Sequence, residues 1–183
     1  MTYKSPLSST TNYGIVKVGA GISVTDGVIS GSTGLLNYGF FSDGTQTNPV
    51  ASAVNIATFS ITGPANGITI IGGTALTAAN AGVYTMSYTL NMNKTSGGTS
   101  SISIWLRQNG TDIVGSSQSL DLINTLSTIF VSGNFSVSMA AGDNIQLCWS
   151  SADTTVSLLA IPAAVGPIRP SGASVKMTMT RIS

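Results

Sequence analysis

The chain has 183 residues, of which 42% are apolar, enough for one domain with a sizeable core plus a short appendage. Only 7% are charged, against roughly 25% in an average soluble domain, and the net charge is +1. That balance lacks the basic footprint of a nucleic-acid binder, and Lys4, Lys17, Lys94 and Lys176 are scattered. No apolar run approaches the ~18 residues that a membrane span needs. The start, MTYKSPLSSTTNYG, has no signal-like apolar stretch, so synthesis in a cytoplasm, or a mature product, is expected.

All six acids are Asp, and His is absent. The single Cys148 forms no internal disulfide, and without His a Cys/His metal cluster is excluded; no cofactor is expected. Ser, Thr and Gly fill the surface that charges normally cover, and with Val and Ile they favour strands and tight turns over helices. A near-neutral surface also loses the repulsion that keeps copies apart, which suits a member of an assembly.

Residues 1–34 form a first part, an attachment arm. Its phrase GIVKVGAGISVTDGVISGS (14–32) breaks short alternating pieces with Gly19, Gly21 and Gly27, and Asp26-Gly27 signals a hairpin. So little strand is marginal alone and needs a partner surface. Ile15, Val16, Val18, Ile22, Val24, Val28 and Ile29 are the expected docking residues, too apolar for a solvated linker. A hinge is expected at Ser30–Gly34.

Residues 35–183 read as a succession of strands. Leu35–Phe41 comes first, then the turn-rich SDGTQTNP, then Val54–Thr62. Gly63-Pro64-Ala65-Asn66-Gly67 predicts a turn, followed by a strand over Ile68–Ile71. The Ala-rich stretch Thr74–Ala81 is too short for a credible helix. Val83–Met92 alternates: Tyr84, Met86, Tyr88, Leu90 and Met92 share one face, Thr85, Ser87, Thr89 and Asn91 the other. In Ser101–Gln108, Ile102, Ile104 and Leu106 alternate with Ser103, Trp105 and Arg107, and Asn109-Gly110 follows as a hairpin signal. Ile129–Met139 alternates again, and Ala140–Asn144 turns the chain. Ile145–Ser150 and Val156–Ile161 are expected to pair across Ser151–Thr155. A Pro-rich loop, Pro162 to Pro170, precedes a last strand, Val175–Ile182. Roughly eight or nine strands at this spacing fit a sandwich or barrel, with a meander left open.

Four segments carry a resemblance: AGVYTMSYTLNM (81–92), SISIWLRQNGTDIVGS (101–116), FSVSMAAGDNIQLCW (135–149) and VKMTMTRI (175–182). Together they resemble the globular heads of complement and tumour necrosis factor-like proteins. The resemblance implies a two-sheet jelly-roll sandwich of about ten strands that forms homotrimers. By that resemblance the strand after Gly82 lies towards a three-fold axis, with Tyr84, Tyr88, Trp105, Met177 and Met179 as interface candidates. An axial cation, as some such heads carry, would take an oxygen from Asp143 or Asp153. No collagen-like Gly-X-Y stalk precedes the head; instead GIVKVGAGISVTDGVIS is similar to short repeats of bacteriophage tail, fibre and capsid-decoration proteins. The combination implies a non-enzymatic virion protein on the outer capsid surface. Its arm would dock on the major capsid protein or another virion protein. A second reading is the knob of a tail or head fibre, with a host glycan or protein bound through Ser42–Pro49, Gly63–Gly67 or Ala163–Pro170.

Catalysis finds no support. Without His or Glu, general acid–base chemistry would rest on Asp, Lys, Tyr or Cys, and no base stands near a Ser nucleophile. Asp26, Asp43, Asp112, Asp143 and Asp153 lie in turn contexts where Asp bonds its own backbone, while Asp121 sits between leucines. Cys148, between Leu147 and Trp149, reads as a buried, unreactive thiol. Trp105, on the polar side of its strand, reads as an inter-subunit or second-face contact, or as an aromatic that stacks on a sugar.

Overall fold

The computed structural model describes residues 22–25, 28–31, 36–45, 47, 49–123 and 128–183. The chain divides into two compact units, Met1–Leu35 and Leu36–Ser183. In the first, β1 (Ile22–Thr25) and β2 (Val28–Gly31) pair antiparallel, with Thr25 opposite Val28 and Val24 opposite Ile29. That is the hairpin expected there. Asp26 and Gly27 themselves, the arm residues Ile15, Val16 and Val18, and positions 32–34 of the hinge lie outside the described residues.

The second unit is all-β, with no helix among the described residues. It opens with β3 (Tyr38–Asp43), β4 (Asn55–Ile56), β5 (Ile61–Asn66), β6 (Ile68–Ile71) and β7 (Ala75–Ala78). The long strands β8 (Gly82–Lys94) and β9 (Ser100–Gln108) follow, with β10 (Thr111–Asp112) and β11 (Gln118–Leu122) behind them. Then come β12 (Thr128–Met139), β13 (Asn144–Ser151), β14 (Val156–Leu158), a small hairpin of β15 (Ala164–Val165) and β16 (Ile168–Arg169), and β17 (Val175–Arg181). One sheet runs β12-β8-β17-β3-β5, with β14 also on β8. The other runs β10-β9-β13-β7-β6, with β11 on β9 and β4 on β13.

Period-two alternation builds the core between these sheets. Tyr84, Met86, Leu90 and Met92 of β8 and Met177 and Met179 of β17 are fully buried, as are Ile102 and Ile104 of β9 and Leu147 and Trp149 of β13. Each such side chain contributes about 1.5–3 kcal/mol through area removed from water. This corrects the interface assignment for Tyr84, Tyr88, Met177 and Met179. Their strands carry Ser, Thr and Lys on the alternate positions, so the apolar parity faces the second sheet and is consumed inside one subunit.

Three further expectations change. The segment Gly63–Gly67 is strand, not turn, up to Asn66; the turn comes at Gly67, whose φ is 66°. Pro64 is tolerated because β5 ends its sheet, where a missing N–H breaks no ladder. Val54–Thr62 is split between sheets: Ala57 N–H donates to Leu147 of β13, and three residues later Ser60 N–H donates to Ser42 of β3. And β14 does not pair with β13. It crosses to β8, with Val156 opposite Lys94.

Candidate functional site

Four surfaces of the second unit carry distinctive chemistry. The first is the outer face of the six-stranded sheet. Ladder register sets Ser132, Thr89, Lys176, Ser42 and Ile61 in one row across it, and Asn134, Ser87, Thr178 and Phe40 in the next. Lys176 is the only charge in these rows. At one end the loop carrying Ile161 and Gly172 folds over Lys176, Ser42 and Ile61 to leave a groove of about 430 Å³.

The second surface is the free edge of β12. The strand pairs with β8 along its whole length and, among the described residues, with nothing on its other side. None of its twelve residues is charged or Pro, the usual guards of an open edge. The core shows through beside it: Ile129, Phe135 and Val137 of β12 and Leu120 of β11 are only partly buried, and Phe130 is 69% exposed.

The third is the hollow, about 490 Å³, lined by Thr99, Ser100, Ser101, Ser151, Asp153 and Thr154. Buried Lys94 donates from Nζ to Asp153 Oδ2 at 2.8 Å and also bonds Ser100. Thr155 N–H donates to the other oxygen, Oδ1. These bonds, Lys94 first, hold the Asp153 carboxyl far below the usual carboxylate range. The network clasps the β8–β9 loop to the β13–β14 loop, reinforced by Thr95 N–H to Thr155 C=O at 3.1 Å.

The fourth is the outer face of the seven-stranded sheet. Trp105 lies there, opposite Cys148 in register, and Cys148 is in turn opposite Ile56. Trp105 Nε1 and Arg107 Nε both donate to Asp112 Oδ1, at 2.8 and 2.9 Å. Cys148 is fully buried between these neighbours, and burial pushes its thiol up to about 11.

The turn roles of Asp hold in part. Asp43 accepts from Thr45 N–H and Asp153 from Thr155 N–H, each two residues on. Asp143 accepts from Ala140 N–H, Asn109 and Gln108. Asp112 instead serves Trp105 and Arg107, and Asp121 accepts from Ser101 across β9–β11. Both carboxylates considered for an axial cation, Asp143 and Asp153, are thus engaged within one subunit. Among the described residues no three of His, Cys, Asp and Glu converge.

Sequence reasoning missed two of these features. The Lys94–Asp153 pair joins positions 59 residues apart, and no local signal links them. The apolar flank of β12 was visible as alternation, but only the sheet order shows that this strand ends its sheet.

The fold defines a class: a two-sheet antiparallel jelly roll of the tumour necrosis factor and complement-head type. The chain is similar to Eiger TNF from S. frugiperda, at 14% identity and a TM-score of 0.52, over 81% of this chain and 93% of that one. It is equally similar to the globular domain of the zebrafish complement 1qA protein, at 15% identity and 0.52, over 81% and 98%. No family model matches the sequence, and neither does any curated protein.

Proposed function

We propose that this chain is a non-enzymatic structural protein of a virus particle, a homotrimeric capsid-decoration protein whose N-terminal arm docks on the shell. One observation carries the self-association: a β12 edge that is uncharged and, among the described residues, unpaired, in the same unit as a hydroxyl-rich face with Lys176 as the only charge in its central rows. An edge of one copy set against the face of the next is a heterologous contact, and such contacts close into a ring when the rotation is 120°. Neither surface carries like charges to oppose the approach. Three arms bound together gain through effective concentration, so each contact with the shell can be weak. The similarity of GIVKVGAGISVTDGVIS to phage repeats supports the virion setting.

Light scattering on the intact protein tests the assembly: a trimer is expected, and a stable monomer overturns it. Phe130→Lys, which sets a charge at a position of β12 that is 69% exposed, converts the trimer to monomer; a trimer left intact removes β12 from the interface. Deleting residues 1–30 leaves the head folded and abolishes attachment to particles; truncated protein that still decorates them overturns the arm's role.

The second reading, a fibre knob that binds a host glycan, draws on the Trp105 surface.

A further inference from the structure

The seven-stranded sheet carries an aromatic ring on its outer face, held by a hydrogen bond. β9 sends Ile104 and Leu106 into the core and Trp105 and Arg107 outward. Around them the outer face is small and hydroxylated: Ser101, Ser103 and Ser119. Asp112 arrives opposite Arg107 through the Asn109-Gly110 hairpin, where φ values of 49° and 81° make the tight turn that Gly permits.

A single carboxylate oxygen, Oδ1, receives both Trp105 Nε1 and Arg107 Nε. This uses the only donor of the indole, so the ring is held in one orientation and offers its apolar surface alone. Among the described residues, Asp112 Oδ2 and the two terminal nitrogens of Arg107 have no partner. The Asp112 side chain is 56% exposed and that of Arg107 19%, so both reach solvent beside the ring. A rigid planar surface thus adjoins one free acceptor and a fork of free donors.

We propose that Trp105, Arg107 and Asp112 form a saccharide platform for a neutral pyranose. The apolar face of the sugar stacks on the indole. One hydroxyl accepts from an Arg107 terminal N–H, and its neighbour on the ring donates to Asp112 Oδ2. Charge-assisted bonds of this kind are stronger than neutral ones, and the preformed geometry spares ordering cost on binding. The ligand is neutral because the guanidinium and carboxylate cancel, leaving no net charge for an acidic sugar. The platform goes beyond the attachment reading: it lies on the other sheet within one chain, so it stands whether or not the protein is a trimer.

The test is ligand-observed NMR with calorimetry on the intact protein, against a panel of neutral mono- and oligosaccharides and their sialylated counterparts. Saturable binding of a neutral glycan is expected, with Kd between about 0.1 and 10 mM, a span typical of few contacts on an open surface. Trp105→Ala abolishes it. Asp112→Asn, at an exposed position, weakens it at least about tenfold while the thermal melt shows a folded protein. No binding across the panel, binding kept in Trp105→Ala, or binding of sialylated glycans alone overturns the proposal. The oligomeric state measured on the same sample separates this outcome from failure of the trimer reading.

Discussion

Tyr88 lays its ring across Gly133, the residue directly opposite it in the β8–β12 ladder. A Cβ built on Gly133 would fall 2.5 Å from Tyr88 Cζ and 2.9 Å from Cε1. Tyr88 is 4% exposed and its ring is rigid, so neither partner can yield cheaply. Gly133→Ala should therefore destabilise the second unit by about 1–3 kcal/mol through overpacking. Urea unfolding checks this: an unchanged midpoint would mean that the ring swings aside.

Lys94 and Asp153 make a different kind of contact. The Lys94 side chain is fully buried, that of Asp153 27% exposed, and they meet at 2.8 Å. Removing the acid leaves an ammonium without its counter-charge, which costs about 3–5 kcal/mol for a buried pair. The partial exposure of Asp153 puts Asp153→Ala near the lower end. Lys94→Met, which removes the charge that needed compensation, should cost less. Chemical denaturation of both variants checks the order, and equal losses would contradict it.

Acid should unfold the protein in a narrow window. Asp153 is held far below the usual range by Lys94, and Asp143 is lowered chiefly by Asn109. A depressed folded-state pKa stabilises above the unfolded value of about 3.9 and loses that contribution as pH falls through the folded value. With no His and no Glu, no carboxylate or imidazole of ordinary pKa titrates between about pH 5 and 8. The melting temperature should be flat there and fall below about pH 4. A fall beginning near pH 6 would contradict this assignment.

The Cys148 thiol, pushed up to about 11, should resist a thiol reagent at pH 8 in the native protein, because the thiolate is the reacting form. It should label once urea exposes it. Absorbance assays read both states, and rapid native labelling would show that the face over Cys148 opens.

The β class, the strand alternation, the β1–β2 hairpin, the Asn109-Gly110 hairpin and the turn at Gly142-Asp143 follow from local chemistry. Turn residues and period-two patterning act over a few positions, and they are legible as such. Which parity faced the core was legible too, as the wetter sides of β8 and β17 show; that Tyr84, Tyr88, Met177 and Met179 would be spent inside one subunit was not. Pairing partners lie far along the chain: β14 crosses to β8, and Asp153 reaches back to Lys94. Strand order decides these, because it alone determines which edges stay open and which side chains stand opposite one another. Alternation names the faces of a strand, but only the assembled sheets say what each face meets.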